Sequence, residues 1–405
     1  MMKSVRFYSV FIFFLIFQCC FAFSNSFSHQ IPLSLDYETE NEDTLRINRM
    51  MKSSHHAVVY SIPDILKEEL FFNAFNYDSL RVRVISIISV GDIMPGTNYP
   101  SEKYLPSDCS SLFDPVRDVL VDADVTIGNL EGVFSSVGGT PKNCKNPETC
   151  YVFRMPDEYA ECIKDAGFDI LGTANNHVND FGITGRKNTA RQLKKSGFKF
   201  AGFRSHPFTI YETKGVKIGF CSFAPHTGTM NFKDYEEASR LVEKLSASTD
   251  LVVVNFHSGA EGKDHQHITR EDEVFLGHNR GNVYLFSRKM IDAGADLVVG
   301  HGPHVVRALD FYKGKLIAYS LGNFCTYARF NLSGPNANAP ALKVWLSEKG
   351  EFKKARIFSF SQYGEGGPVP DPDGQAIIRM RYLTEIDIPE APLKIDENGW
   401  IMITE

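Results

Sequence analysis

Five short apolar runs in this chain each stop at residues that can hold a metal ion, and that coincidence restricts the fold more than any other feature. Residues 82–90 run into Gly91 and Asp92, and residues 124–128 into Asn129 and Glu131. Residues 170–171 are soon followed by Asn175, Asn176 and His177, residues 252–256 by His257, and residues 297–300 by His301 and His304. Short β-branched runs ended by glycine or polar residues read as buried strands. Helical patterns lie between them: 156–166 stopped by Gly167, 184–196 with Gly197 at its end, 236–247, and 283–293 stopped by Gly294. This alternation predicts an α/β fold with largely parallel inner strands. In open α/β sheets ligands bind beyond the carboxyl ends of the strands, so the five ends are expected to converge on one place.

The residue types there narrow the chemistry. Carboxylate and amide oxygens together with imidazole nitrogens suit Mn, Fe or Zn better than an all-oxygen calcium or magnesium cage. Two cations held close together need a shared anionic ligand, and Glu131 is the candidate. Each motif alone has a plain reading. Gly91-Asp92 serves as a strand-ending turn, Asn175-Asn176-His177 as a turn using asparagine's tolerance of left-handed backbone, and His257 as a hydrogen-bonded core histidine. Gly300-His301-Gly302-Pro303-His304 is harder to explain by packing, because two histidines three apart sit in a Gly/Pro turn after an apolar strand. Taken together and in this order, the motifs point to a metal site. His265, His267 and His278 lie in a polar stretch and read as solvated or substrate-facing groups.

With 405 residues, 43% hydrophobic and 23% charged, the chain has the composition of a globular protein. A net charge of −6 offers no basic field for nucleic acid, and no nucleic-acid partner is expected. Lys3 and Arg6 precede an apolar run over 7–17, then Cys19, Cys20, Phe21 and Ala22, which is the layout of a signal peptide cut near Ala22. An uncleaved anchor is the alternative, although the run is short for a span of about 20 residues; a lipid on Cys19 is a third. Residues 1–22 are thus expected to be a signal peptide and 23–80 a linker or wrapping extension. Residues 81–340 form the domain that carries the motifs, and 341–405 a C-terminal extension of short strands, without helices, packing on that domain. Export to the periplasm or outside the cell would place Cys144 and Cys150 in an oxidising compartment, spaced to pair across their loop. The connectivity of Cys109, Cys162, Cys221 and Cys325 stays open.

The runs Val90-Gly91-Asp92-Ile93-Met94-Pro95-Gly96, Gly128-Asn129-Leu130-Glu131 and 173–182, with Gly294-Ala295-Asp296, Gly300-His301-Gly302-Pro303-His304 and 319–324, resemble the capsule-synthesis CapA (poly-γ-glutamate biosynthesis) family over about residues 82–326. That family is similar to the calcineurin-like metallophosphoesterases. The resemblance implies a β-sandwich flanked by helices, in four αββα layers, with two metals at the strand ends. It implies that Asp92 and His304 hold a first metal, that Glu131 bridges, and that Asn176, His257 and His301 hold the second. His177 would stand beside the substrate to stabilise charge or protonate a leaving oxygen, with Asp180 orienting it. Two departures stand out. The phosphoesterase pattern has histidine two residues after its first aspartate, where this chain has Met94, leaving the first site one ligand short. Ser258 and Gly262 replace a tryptophan and an aromatic residue usual in the family.

The implied function is a metal-dependent hydrolase acting on a phosphoester or on an amide bond of a γ-glutamyl or cell-wall polymer. The alternative is a non-enzymatic accessory of capsule-polymer synthesis or export, working beside membrane capsule-synthesis proteins.

Overall fold

The structure, a computed structural model, describes residues 82–143 and 150–404. The signal-peptide and linker expectations for 1–80 and the Cys144–Cys150 pairing fall outside the described residues, although Cys150 is itself disulfide-bonded.

Two sheets carry the fold, one of nine strands and one of six. The centre of the larger sheet is Val84–Met94, with Val125–Leu130, Ile170–Gly172 and Lys199–Ala201 following in parallel on one side. Its other side is antiparallel: Ala341–Ser347, Phe352–Phe358, Trp400–Ile403 and Leu393–Ile395. The short strand Asn323–Thr326 pairs in parallel with the far end of Val84–Met94. In the smaller sheet Val216–Phe223, Leu251–His257, Leu297–His301 and Lys315–Ala318 are parallel, and Phe208–Thr213 and Leu309–Tyr312 close the edges as antiparallel partners.

Strand alternation explains the layering. Ile85, Ile87, Val125, Ile127 and Ile170 face Val216, Ile218, Phe220, Val253 and Val299 in a core between the sheets. The opposite face of the larger sheet buries Ile88 and Leu171 against Ile163 of helix Tyr159–Asp165 and Leu193 of helix Gly182–Lys195. The opposite face of the smaller sheet buries Val252, Val254 and Val298 against Val242 and Leu245 of helix Tyr235–Ser246 and Phe286 and Met290 of helix Val283–Asp292. The result is the expected sandwich of two sheets between helical layers. The last two helices start where side chains satisfy their first free amides: Asp234 accepts from the Glu237 N–H and Asn282 from the Leu285 N–H.

Residues 341–405 add strands to the larger sheet itself, and they are not free of helix. Helix Gln375–Asp387 corrects that expectation. Its buried side carries Ile377, Met380 and Leu383, but Ile378, Tyr382 and Ile386 are exposed on the other, so apolar residues on both sides erase the periodicity by which helices are read.

Cys109 and Cys162 form a disulfide that ties the segment before Phe113 to helix Tyr159–Asp165, closing a loop of 53 residues. Replacing both by alanine is expected to lower unfolding stability by about 3 kcal/mol, checked by urea denaturation of the oxidised protein and the double variant.

Candidate metal centre

The parallel strands of both sheets end on the same side, and their register aligns the polar residues. Asp92 lies opposite Asn129 on one neighbour and Asn323 on the other, and His301 lies opposite His257. The approach of Asp92 depends on Gly91. A Cβ there would meet the Gly322 carbonyl oxygen at 2.2 Å, and the Asp92 N–H donates to that same oxygen at 2.9 Å. His304 holds a left-handed φ of 57°, a conformation a non-glycine residue adopts at a cost.

The side chains converge. Asp92, Glu131 and His257 are fully buried and offer ligand atoms within 4.8 Å of one another. Asp92 Oδ1 lies 3.6 Å from Nδ1 of both His257 and His301, and its Oδ2 lies 3.1 Å from His304 Nδ1. Glu131 Oε1 is central: 3.5 Å from His304 Nε2, 3.6 Å from His177 Nε2 and 3.8 Å from His257 Nε2. Asn176 lines the same cavity with His177 and His304. Asp180 accepts from His177 Nδ1 at 2.7 Å, and Lys142 Nζ lies 2.6 Å from its other oxygen. Every residue singled out from the sequence as a ligand or proton-transfer group is therefore in one place.

Three asparagines complete the cluster: Asn129, named from its strand end, and Asn255 and Asn323, which the strand-end reading leaves out. The Asn129 amide nitrogen lies 2.8 Å from Asp92 Oδ1 and 3.1 Å from His257 Nδ1. Asn255 Oδ1 takes the His301 Nε2 proton at 2.7 Å, which leaves His301 Nδ1 as a lone pair facing Asp92. Asn323 Oδ1 lies 3.0 Å from His304 Nδ1. Asn255 was legible in principle, since it stands two residues before His257 in one strand and so on the same face. Met94, where the phosphoesterase pattern has histidine, packs in the apolar core and offers no nitrogen.

A divalent cation fits this donor set. Both Glu131 oxygens, Asn176 Oδ1, His257 Nε2 and His301 Nδ1 are buried without a hydrogen-bond partner. Orphaned buried polar atoms each cost about 1–3 kcal/mol, and here they converge, so one shared charge satisfies them together. The protonation pattern shows the same unmet need. Burial pushes Asp92 up, but hydrogen bonds from His257 and His304 outweigh it and hold the carboxyl below its usual range. Burial pushes Glu131 well above the usual range. Burial lowers His304, but the Glu131 charge and the Asp92 hydrogen bond outweigh it and push it up to about 10. Burial takes His301 and His177 down to about 4.

Asn176, His177, His304 and Asn323 line a cavity of about 770 Å³. Phe153 stacks on His177 with ring centroids 4.2 Å apart and on Phe330 at 5.1 Å, giving an apolar wall. Facing residues include Glu261, Phe275, His278 and Arg280. His278 is exposed and borders this cavity; His267 instead meets Asp387 at 2.7 Å, away from it.

Comparison with known proteins assigns a family. The family model of the bacterial capsule synthesis protein PGA_cap matches residues 86–328, which include every strand end of the cluster. The chain belongs to this family. The capsule biosynthesis protein CapA of Bacillus anthracis is 29% identical over 259 residues, covering 59% of this chain and 59% of that protein. The PGA biosynthesis protein CapA of Bacillus subtilis is 28% identical over 257 residues, covering 60% and 63%. The matched region thus spans less than two thirds of either relative. A solved hypothetical protein from Thermus thermophilus is 16% identical, with a TM-score of 0.42, covering 68% of this chain and 99% of its own. Among the described residues of this PGA_cap protein no helix is long and apolar enough to cross a membrane.

Proposed function

We propose that this PGA_cap protein is an exported, metal-dependent hydrolase acting on a phosphoester or an amide bond of an anionic capsule or cell-wall polymer, near membrane capsule-synthesis proteins. The observation that carries it is the convergence of buried, unpartnered ligand atoms of Glu131, Asn176, His257 and His301 beside His177 and His304, which with Asn176 line an open cavity. Asp92, Glu131, Asn176, His257, His301 and His304 would hold divalent cations, with Mn, Fe or Zn suited by the mixed oxygen and nitrogen donors. Bound cations supply neutralisation of charge on the transferred group and activation of water. The names of the two Bacillus relatives support the capsule setting.

The chain's own residues do the rest. Asp180, fixed by Lys142 and by the Phe153 N–H, takes the Nδ1 proton of His177 and sets its tautomer. The ring is clamped by Phe153, so Nε2 is presented towards Glu131 and the cavity as the point where a proton is held or passed during bond cleavage. The aromatic wall excludes water from one side of the bond.

One observation favours a second reading, a non-enzymatic accessory of polymer synthesis: Met94 leaves Asp92 and His304 without the further imidazole of the phosphoesterase pattern. The two readings separate in one experiment. The mature chain is assayed against a phosphoester panel and poly-γ-glutamate, with metal content measured in parallel. His177→Ala is expected to keep its metal and lose about 10²–10⁴-fold in turnover. A metal-loaded wild type without turnover, together with a His177→Ala variant that restores capsule in cells, sinks the hydrolase and leaves the accessory.

A further inference from the structure

Arg280 is a buried cation whose role neither the fold nor the metal cluster explains. It lies in the strand His278–Gly281, is 7% exposed, and its side chain borders the cavity above the cluster. One terminal nitrogen donates to Glu261 Oε1 at 2.7 Å, and the other lies 3.1 Å from His226 Nε2. Burial, reinforced by the Arg280 charge, pushes His226 down to about 2, so that ring is neutral and accepts. The guanidinium plane is therefore fixed from two sides, while its Nε has no hydrogen-bond partner. A buried unmet donor costs about 1–3 kcal/mol, so this side chain, which borders the cavity, keeps a donor that its pairing with Glu261 does not use.

The chemistry of the opening is specific. A planar guanidinium held rigid matches the two oxygens of a carboxylate or phosphate, and desolvation strengthens the contact. Lys142 and Arg329 share the lining with Arg280, and Glu261 is the one acidic residue among its described lining residues. Glu261 and Arg280 line the same cavity as Asn176, His177 and His304 of the cluster.

We propose that Arg280 anchors a second oxyanion of the ligand, a carboxylate or phosphate adjacent to the group at the metal cluster, with Glu261 and His226 as the positioning residues that hold its plane. The inference rests on the metal-site reading above, and it assigns to that site a ligand with at least two anionic groups, as a polyanionic chain has.

The test uses the full chain loaded with Mn and three probes followed by calorimetry: butyrate with one anion, glutarate with two carboxylates, and 4-phosphonobutyrate with a carboxylate and a phosphonate. Wild type is expected to bind one or both two-anion probes at least about tenfold tighter than butyrate, the size of one charge-assisted hydrogen bond. The tighter of the two identifies the group. Arg280→Met is expected to abolish that preference while metal content and butyrate binding stay as in wild type. If Arg280→Met does not fold, the double change Arg280→Met with Glu261→Gln removes the pair without stranding a charge and is measured instead. A wild type without preference for two anions, or a variant that keeps it, overturns the anchor. Metal present with no preference refutes the anchor alone; preference present with no metal bound refutes the metal reading alone.

Discussion

Replacing Asp92 by asparagine is expected to abolish stoichiometric metal binding and with it the stabilisation that a divalent cation gives the fold. The change preserves volume and removes one charge from a site where Asp92 stands within 3.6 Å of His257, His301 and His304. A ligand present at a thousand times its dissociation constant stabilises the native state by about 4 kcal/mol. Wild type should therefore melt several degrees lower in chelator than in excess Mn, and Asp92→Asn should melt at the same temperature in both. Differential scanning fluorimetry reads the shift and elemental analysis the metal content. A variant that keeps both its metal and its response to chelator would show that Asp92 is not a ligand.

Replacing Arg307 by methionine is expected to cost about 3–5 kcal/mol, the range for stranding one partner of a buried ion pair. Arg307 is fully buried and grips both Glu273 oxygens at 2.7 and 2.8 Å. Two further donors go to the carbonyls of His265 and Ala260, and Glu273 in turn accepts the Ala260 N–H at 2.7 Å. One side chain thus joins the segment after His304 to the loop that follows His257 and to the hairpin of Glu273–Phe275 and His278–Gly281 that walls the cavity. Urea denaturation measures the loss, and hydrogen exchange over residues 258–281 should rise first. Adding Glu273→Met should recover much of the stability, because no charge is then left unpaired. A single variant within about 1 kcal/mol of wild type would show that the pair holds nothing.

The strand ends were legible because buried parallel strands are unbroken apolar runs, so the polar residue that stops each run stands out. Asp92, Glu131, His257 and His301 stand out in this way, and the alternation of runs and helical patterns carries the α/β class, whereas the sandwich comes from the family resemblance alone. Asn255 was hidden inside such a run, where one amide reads as an ordinary interruption. Asn323 opens the strand Asn323–Thr326, four residues beyond the apolar run 316–319, too far to read as the residue that stops it. Arg280 and Glu261 were illegible as a pair, since 19 residues of loop and hairpin bring them together. The Cys109–Cys162 link, across 53 residues, depends on how two elements dock and leaves no local mark. Helix Gln375–Asp387 is hidden because its exposed side also carries the apolar residues Ile378, Tyr382 and Ile386.

The most direct test of the metal centre is anomalous diffraction from crystals grown with Mn. The expected result is a peak about 2.2 Å from ligand atoms of Glu131, His257 and His301, the usual range for such bonds, and its loss in Asp92→Asn crystals. Ordered side chains around an empty cluster, with manganese only at surface carboxylates, would contradict it.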